Sequence, residues 1–96
     1  MRDPYIIIER PIISEKAVDQ QPLGKYHFRV ARDANKIEIR EAIEVIYGVR
    51  VKAVNTMNVR GKLRRVGRGR PGRTPAWKKA IVTLVPGQSI ELFEGV

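Results

Sequence analysis

Residues 35–48 read Asn35-Lys36-Ile37-Glu38-Ile39-Arg40-Glu41-Ala42-Ile43-Glu44-Val45-Ile46-Tyr47-Gly48, and the chain continues Val49-Arg50-Val51-Lys52-Ala53-Val54-Asn55-Thr56-Met57-Asn58-Val59. The period changes at Gly48, and that change decides the fold. Ile39, Ala42, Ile43, Ile46 and Tyr47 share one face at helical spacing, with Arg40, Glu41 and Glu44 outside it. Asn35 and Glu38 have the spacing of a capping box, flanked by Ala34 and Ile39. Gly48 suits the left-handed residue that ends a helix. Beyond it the alternation is that of a strand. Val49, Val51, Ala53, Met57, Val59 and Leu63 are expected on a core face, with Asn55 as a polar member of that row. Arg50, Lys52, Thr56, Asn58, Arg60, Lys62 and Arg64 should then point the other way.

Working outward, Lys25–Ala31 also alternates, with Tyr26, Phe28 and Val30 opposite His27 and Arg29. Ala80–Val85 is a further alternating run, and it most simply pairs with residues 49–64 as an antiparallel hairpin. Upstream, Ser14 is a good N-cap for a helix of about two turns that Pro22 and Gly24 end. Tyr5–Glu9 is an apolar run expected to be a strand, limited by Pro11. Pro86-Gly87 marks a turn, and Ser89–Phe93 shows no decisive period. The expected fold class is α+β: an antiparallel sheet of about four strands, helices packed on one face, and a long basic hairpin arm. With 96 residues, one domain spanning 1–96 is expected.

The chain has 19 Lys plus Arg and 10 Asp plus Glu, a formal charge of +9. Residues 60–79 hold Arg60, Lys62, Arg64, Arg65, Arg68, Arg70, Arg73, Lys78 and Lys79, nine cations with no acid. The other residues balance ten cations against ten acids, so all the net charge lies in one stretch. Like charges at that spacing, with Gly61, Gly67, Gly69, Gly72, Pro71 and Pro75 among them, predict a segment that orders only against a dense polyanion. Nucleic acid has that property. Arginine outnumbers lysine here, and its fork to phosphate favours folded RNA over duplex DNA.

Other chemistry is poorly supported. Cysteine is absent, which excludes disulfides and thiolate metal sites. The one histidine, His27, has no partner base in sequence and is expected to pack or face solvent. Gly67-Arg68-Gly69-Arg70-Pro71-Gly72 matches a dinucleotide fingerprint by letter. It lacks the strand before and the helix after, and Pro71 stands where the helix would start. No enzyme, cofactor, metal or small-molecule substrate is expected. No apolar run approaches the ~18–20 residues that span a bilayer. Trp77, the single tryptophan, suits either packing at the sheet end or stacking on RNA.

Several segments resemble ribosomal protein twenty-three of the large subunit, bacterial type. They are Arg10-Pro11-Ile12-Ile13-Ser14-Glu15-Lys16-Ala17, Lys36-Ile37-Glu38-Ile39, Val54-Asn55-Thr56, Val59-Arg60-Gly61-Lys62 through Gly67-Arg68, Trp77-Lys78-Lys79-Ala80 and Pro86-Gly87-Gln88. They run nearly end to end, in order. The resemblance implies a cytoplasmic, non-enzymatic ribosomal constituent that binds 23S ribosomal RNA beside the nascent-peptide tunnel exit. It implies neighbouring ribosomal proteins as partners, and docking of trigger factor, the signal recognition particle and the translocation channel. The expected RNA-binding residues are Lys36, Asn55, Arg60, Lys62, Arg64, Arg65, Arg68, Arg70, Arg73, Trp77, Lys78 and Lys79; Glu15 is the expected docking residue. Pro71, Pro75 and Leu63 depart from the usual arm pattern. A free-standing RNA- or DNA-binding architectural or chaperone module is the alternative reading of the composition.

Overall fold

The computed structural model describes residues 2–59, 63–64, 72–73 and 76–91, with backbone alone for 63–64 and 72–73. Four antiparallel strands form the sheet: β1 (Ile8–Pro11), β2 (Lys25–Val30), β3 (Val51–Val59) and β6 (Trp77–Leu84), in spatial order β1-β2-β6-β3. The pairing of β3 with β6 is the hairpin expected from the two alternating runs. β4 (Leu63–Arg64) pairs antiparallel with β5 (Gly72–Arg73). The expectation that residues 60–79 stay unsettled without a polyanion falls mostly on 60–62, 65–71 and 74–75, outside the described residues.

Helix α3 spans Lys36–Tyr47. The Asn35 side chain accepts the Glu38 N–H at 2.8 Å, and the Glu38 carboxylate accepts the Asn35 N–H at 3.3 Å. This capping box contributes about 1 kcal/mol. Gly48, at φ +65°, closes the far end by donating to the Glu44 carbonyl. Ile39, Ala42 and Ile43 are fully buried, and Ile46 and Tyr47 are partly so. They pack on one face of the sheet, made by Tyr26, Phe28, Val30, Val51, Ala80, Val82 and Leu84. Phe28 meets Tyr47 in a tilted aromatic pair with centroids 5.7 Å apart. The segment after β6 returns to this core: Ile90 is buried, and its N–H donates to the Tyr26 hydroxyl at 3.1 Å.

Three expectations are corrected. First, β3 changes face. Val51 pairs with Leu84 and Ala53 with Thr83, so one extra residue, Lys52, enters as a bulge. Beyond it Val54 and Thr56, opposite the buried Val82 and Ala80, turn toward the core. Ala53, Asn55 and Met57 are exposed. A single inserted residue inverts every later side chain because strand faces alternate with period two.

Second, the helices do not share one face. Helix α2 (Glu15–Gln20), capped by Ser14 at the Ala17 N–H, sits on the face that bears His27. There Ala17 is 1% exposed and His27 is 2% exposed. Third, Tyr5–Ile7 is not strand. Pro4–Ile7 forms a one-turn helix, α1, and β1 begins at Ile8. The Asp3 side chain accepts the Tyr5 N–H, and Pro4 opens the turn with its preset φ.

Candidate nucleic-acid interface

The sheet face turned away from α3 follows from register. Arg10 lies opposite Arg29, Arg29 opposite Lys79, and Lys79 opposite Met57. Cross-strand partners point the same way, so this face carries Arg10, Arg29 and Lys79 in one row. Next to it stand Trp77, opposite Val59, and Asn55, opposite Ile81. The Arg29 guanidinium carbon is 5.4 Å from the Trp77 ring centroid, a cation–π contact. Its Nε–H donates to Glu9 at 3.2 Å. Trp77 therefore serves first as a platform for a protein cation.

His27 closes the other half of the face. Its Nε2–H donates to the Gln20 Oε1 at 2.5 Å, which ties β2 to α2. Among the described residues its Nδ1 is buried without a partner. Burial, then the charges of Lys79 and Lys16, hold its pKa below the ordinary histidine value. A proton on Nδ1 would place a cation where no acceptor waits. His27 thus packs, one of the two roles expected of it.

The expected binding residues divide. Lys79, Trp77 and exposed Asn55 come together on the open face. Lys78, one position on, faces the α3 side, where its ammonium donates to the Ala34 carbonyl and braces the loop before the helix. Lys36 is exposed in the first turn of α3. With Arg40 and Lys52 it lines a shallow groove of about 180 Å³ between α3 and the edge strand β3. A lysine at a helix N-terminus opposes the dipole, so its presence there is not explained by helix stability. Glu15 is exposed in the first turn of α2. Arg64 and Arg73 lie in β4 and β5. Arg60, Lys62, Arg65, Arg68 and Arg70 lie outside the described residues.

Sequence reasoning did not name Arg10, Arg29, Arg40 or Lys52 among the binding residues. Alternation had put Arg29 and Lys52 on polar strand faces, and the helical period had left Arg40 outside the apolar face; Arg10 had no such signal.

Among the described residues no group of acids and histidines could hold a metal ion. A small antiparallel sheet joined to a sequence stretch of nine cations and no acid has the charge distribution of a nucleic-acid-binding protein. The family model described as Ribosomal protein L23 matches residues 6–92. The chain is 57% identical over 93 residues to the large ribosomal subunit protein uL23 of Roseiflexus sp. (strain RS-1), covering 97% of this chain and 98% of that one. It is 57% identical over 90 residues to the protein of the same name from Symbiobacterium thermophilum, covering 94% of this chain and 95% of that one. With the one from Heliobacterium modesticaldum it shares 50% identity over 96 residues and the full length of both. The chain belongs to the ribosomal protein L23 family, a structural and non-enzymatic component of the large ribosomal subunit.

Proposed function

We propose that this protein, working in the cytoplasm as part of the ribosome, holds 23S ribosomal RNA beside the exit of the nascent-peptide tunnel. The carrying observation is the segregation of charge. Nine cations and no acid occupy residues 60–79, and the rest of the chain is balanced. An anion-free stretch of that density costs self-repulsion in the free protein and recovers it against phosphate. In this reading Arg60, Lys62, Arg64, Arg65, Arg68, Arg70 and Arg73 bridge phosphates from an arm. Trp77, Lys78, Lys79 and Asn55 meet RNA where the arm joins the sheet, and Lys36 contacts it from α3. Neighbouring large-subunit proteins complete the surroundings.

The same reading gives α2 a second role. Glu15, exposed in its first turn, is the contact that recruits trigger factor, and the surface around it receives the signal recognition particle and the translocation channel. Burial of Ala17 and the His27–Gln20 bond hold that short helix on the sheet, since six residues do not keep a helix in water alone.

Retention on large subunits through a high-salt sucrose cushion tests the ribosomal role, and release at modest salt would mark a free-standing module. Glu15→Ala is expected to weaken trigger-factor docking to such subunits several-fold with incorporation unchanged. Equal docking by the variant would remove Glu15 from the contact.

A further inference from the structure

Cross-strand neighbours in a sheet are normally neutral or opposite in charge, because like charges face to face destabilise the pair. Here three strands place Arg10, Arg29 and Lys79 side by side. At ~4.8 Å per strand, neighbouring members of the row lie well inside the Debye length of ~8 Å at physiological ionic strength. Arg29 therefore repels both of its neighbours with little screening, while the two ends, about 10 Å apart, are largely screened from each other. Glu9 is the acid that meets the row, and it bonds Arg29 alone, with the two side chains 45% and 33% exposed. Among the described residues Arg10 and Lys79 form no ion pair.

We propose that the row Arg10–Arg29–Lys79 is a second RNA site, which takes backbone phosphates on the sheet itself, apart from residues 60–76. The inference rests on the RNA-binding reading above and adds to it two cations outside the basic segment. The geometry is prepared in advance. Glu9 and the face of Trp77 hold the Arg29 guanidinium from two directions, so less side-chain freedom is lost when phosphate arrives. Lys79 extends from the central strand β6 and Arg10 from the edge strand β1, so one RNA strand crossing the sheet meets all three. Trp77 here is a positioning residue, acting through Arg29.

The row differs from a structural feature in one measurable way. Removing a structural cation destabilises the protein; removing a cation from a repelling row does not. The test compares the full-length chain with Arg10→Gln/Lys79→Gln, using a 23S ribosomal RNA transcript as the probe. The melting temperature of the double variant without RNA is expected to equal or exceed that of the unaltered protein. Its log–log plot of affinity against salt is expected to be shallower by about 1.4–1.8, the loss of two phosphate contacts, against about 0.7–0.9 if Lys79 alone made one. Trp77, as the single tryptophan, reports on the same place: its fluorescence should change on RNA addition to the unaltered protein, and the change should shrink in Arg29→Gln. A slope unaltered or shallower by only about 0.7–0.9 in the double variant, or a fluorescence unresponsive to RNA, overturns the second site. If the unaltered protein itself binds RNA with almost no salt dependence, the reading beneath it falls as well.

Discussion

The two faces of one sheet meet different ends. Toward α3, Phe28, Val30, Ala80 and Val82 are buried to 1% exposure or less, and packing satisfies them within the chain. On the reverse, α2 covers His27, and the row Arg10, Arg29 and Lys79 stays at the surface with a single acid. A strand supplies both faces at once, residue by residue: Phe28 is fully buried while Arg29, its neighbour, touches Trp77 and Glu9. The first face explains why the protein folds. The second has a charge arrangement that folding alone does not account for.

That contrast can be broken by substitution. Phe28→Ala is expected to cost about 3–5 kcal/mol, a large part of the 5–15 kcal/mol typical of a domain. Arg29→Gln should cost far less. Urea titrations of both variants check this, and a similar loss in the two would mean that the reverse face is also core. Within β3 the contrast is sharper, because the bulge at Lys52 sets which residues point in. Val54→Ala is expected to cost roughly 1 kcal/mol, from two buried methyl groups' worth of partial burial, and Met57→Ala to stay within about 0.5 kcal/mol. The reverse ranking would show the uninterrupted alternation instead.

The smallest effect concerns His27. In the unfolded chain a histidine takes up its proton near pH 6.5, and burial depresses that value in the folded protein. The unfolded state then binds more protons as the pH falls, so stability is complete above about pH 6.5 and declines below it. Melting curves from pH 7.5 downward should show that decline, and His27→Gln should flatten it. Acidic groups such as Asp33 and Glu38, held below their usual range by hydrogen bonds from Arg2, lose stability only below about pH 4, so the decline that begins near pH 6.5 belongs to His27.

What could be read from the sequence was whatever is decided locally. The capping box at Asn35 and Glu38, the face Ile39–Ala42–Ile43, Ser14 as a cap and Gly48 as a stop are each set within a turn or two, and each is present in the structure. The pairing of the alternating runs 49–64 and 80–85 was legible, and the structure realises it between β3 and β6. The inversion of β3 left only a faint trace, in that Val51 and Val54 stand three apart and so belong to opposite phases. Asp3-Pro4 carried the signal for α1, but the apolar run Tyr5-Ile6-Ile7-Ile8 pointed more strongly to a strand. The row Arg10–Arg29–Lys79 had no local signature, since it exists only once three distant strands take their register. The basic segment was evident from composition alone, because charge needs no geometry to be counted.

The central claim is that a charge-balanced body carries cations whose counterpart is RNA phosphate. Its most direct test is the affinity of the full-length protein for 23S ribosomal RNA measured across a series of salt concentrations. With six to nine cations engaged, log affinity should fall against log salt with a slope of roughly −4 to −8. A slope near −1 would contradict it.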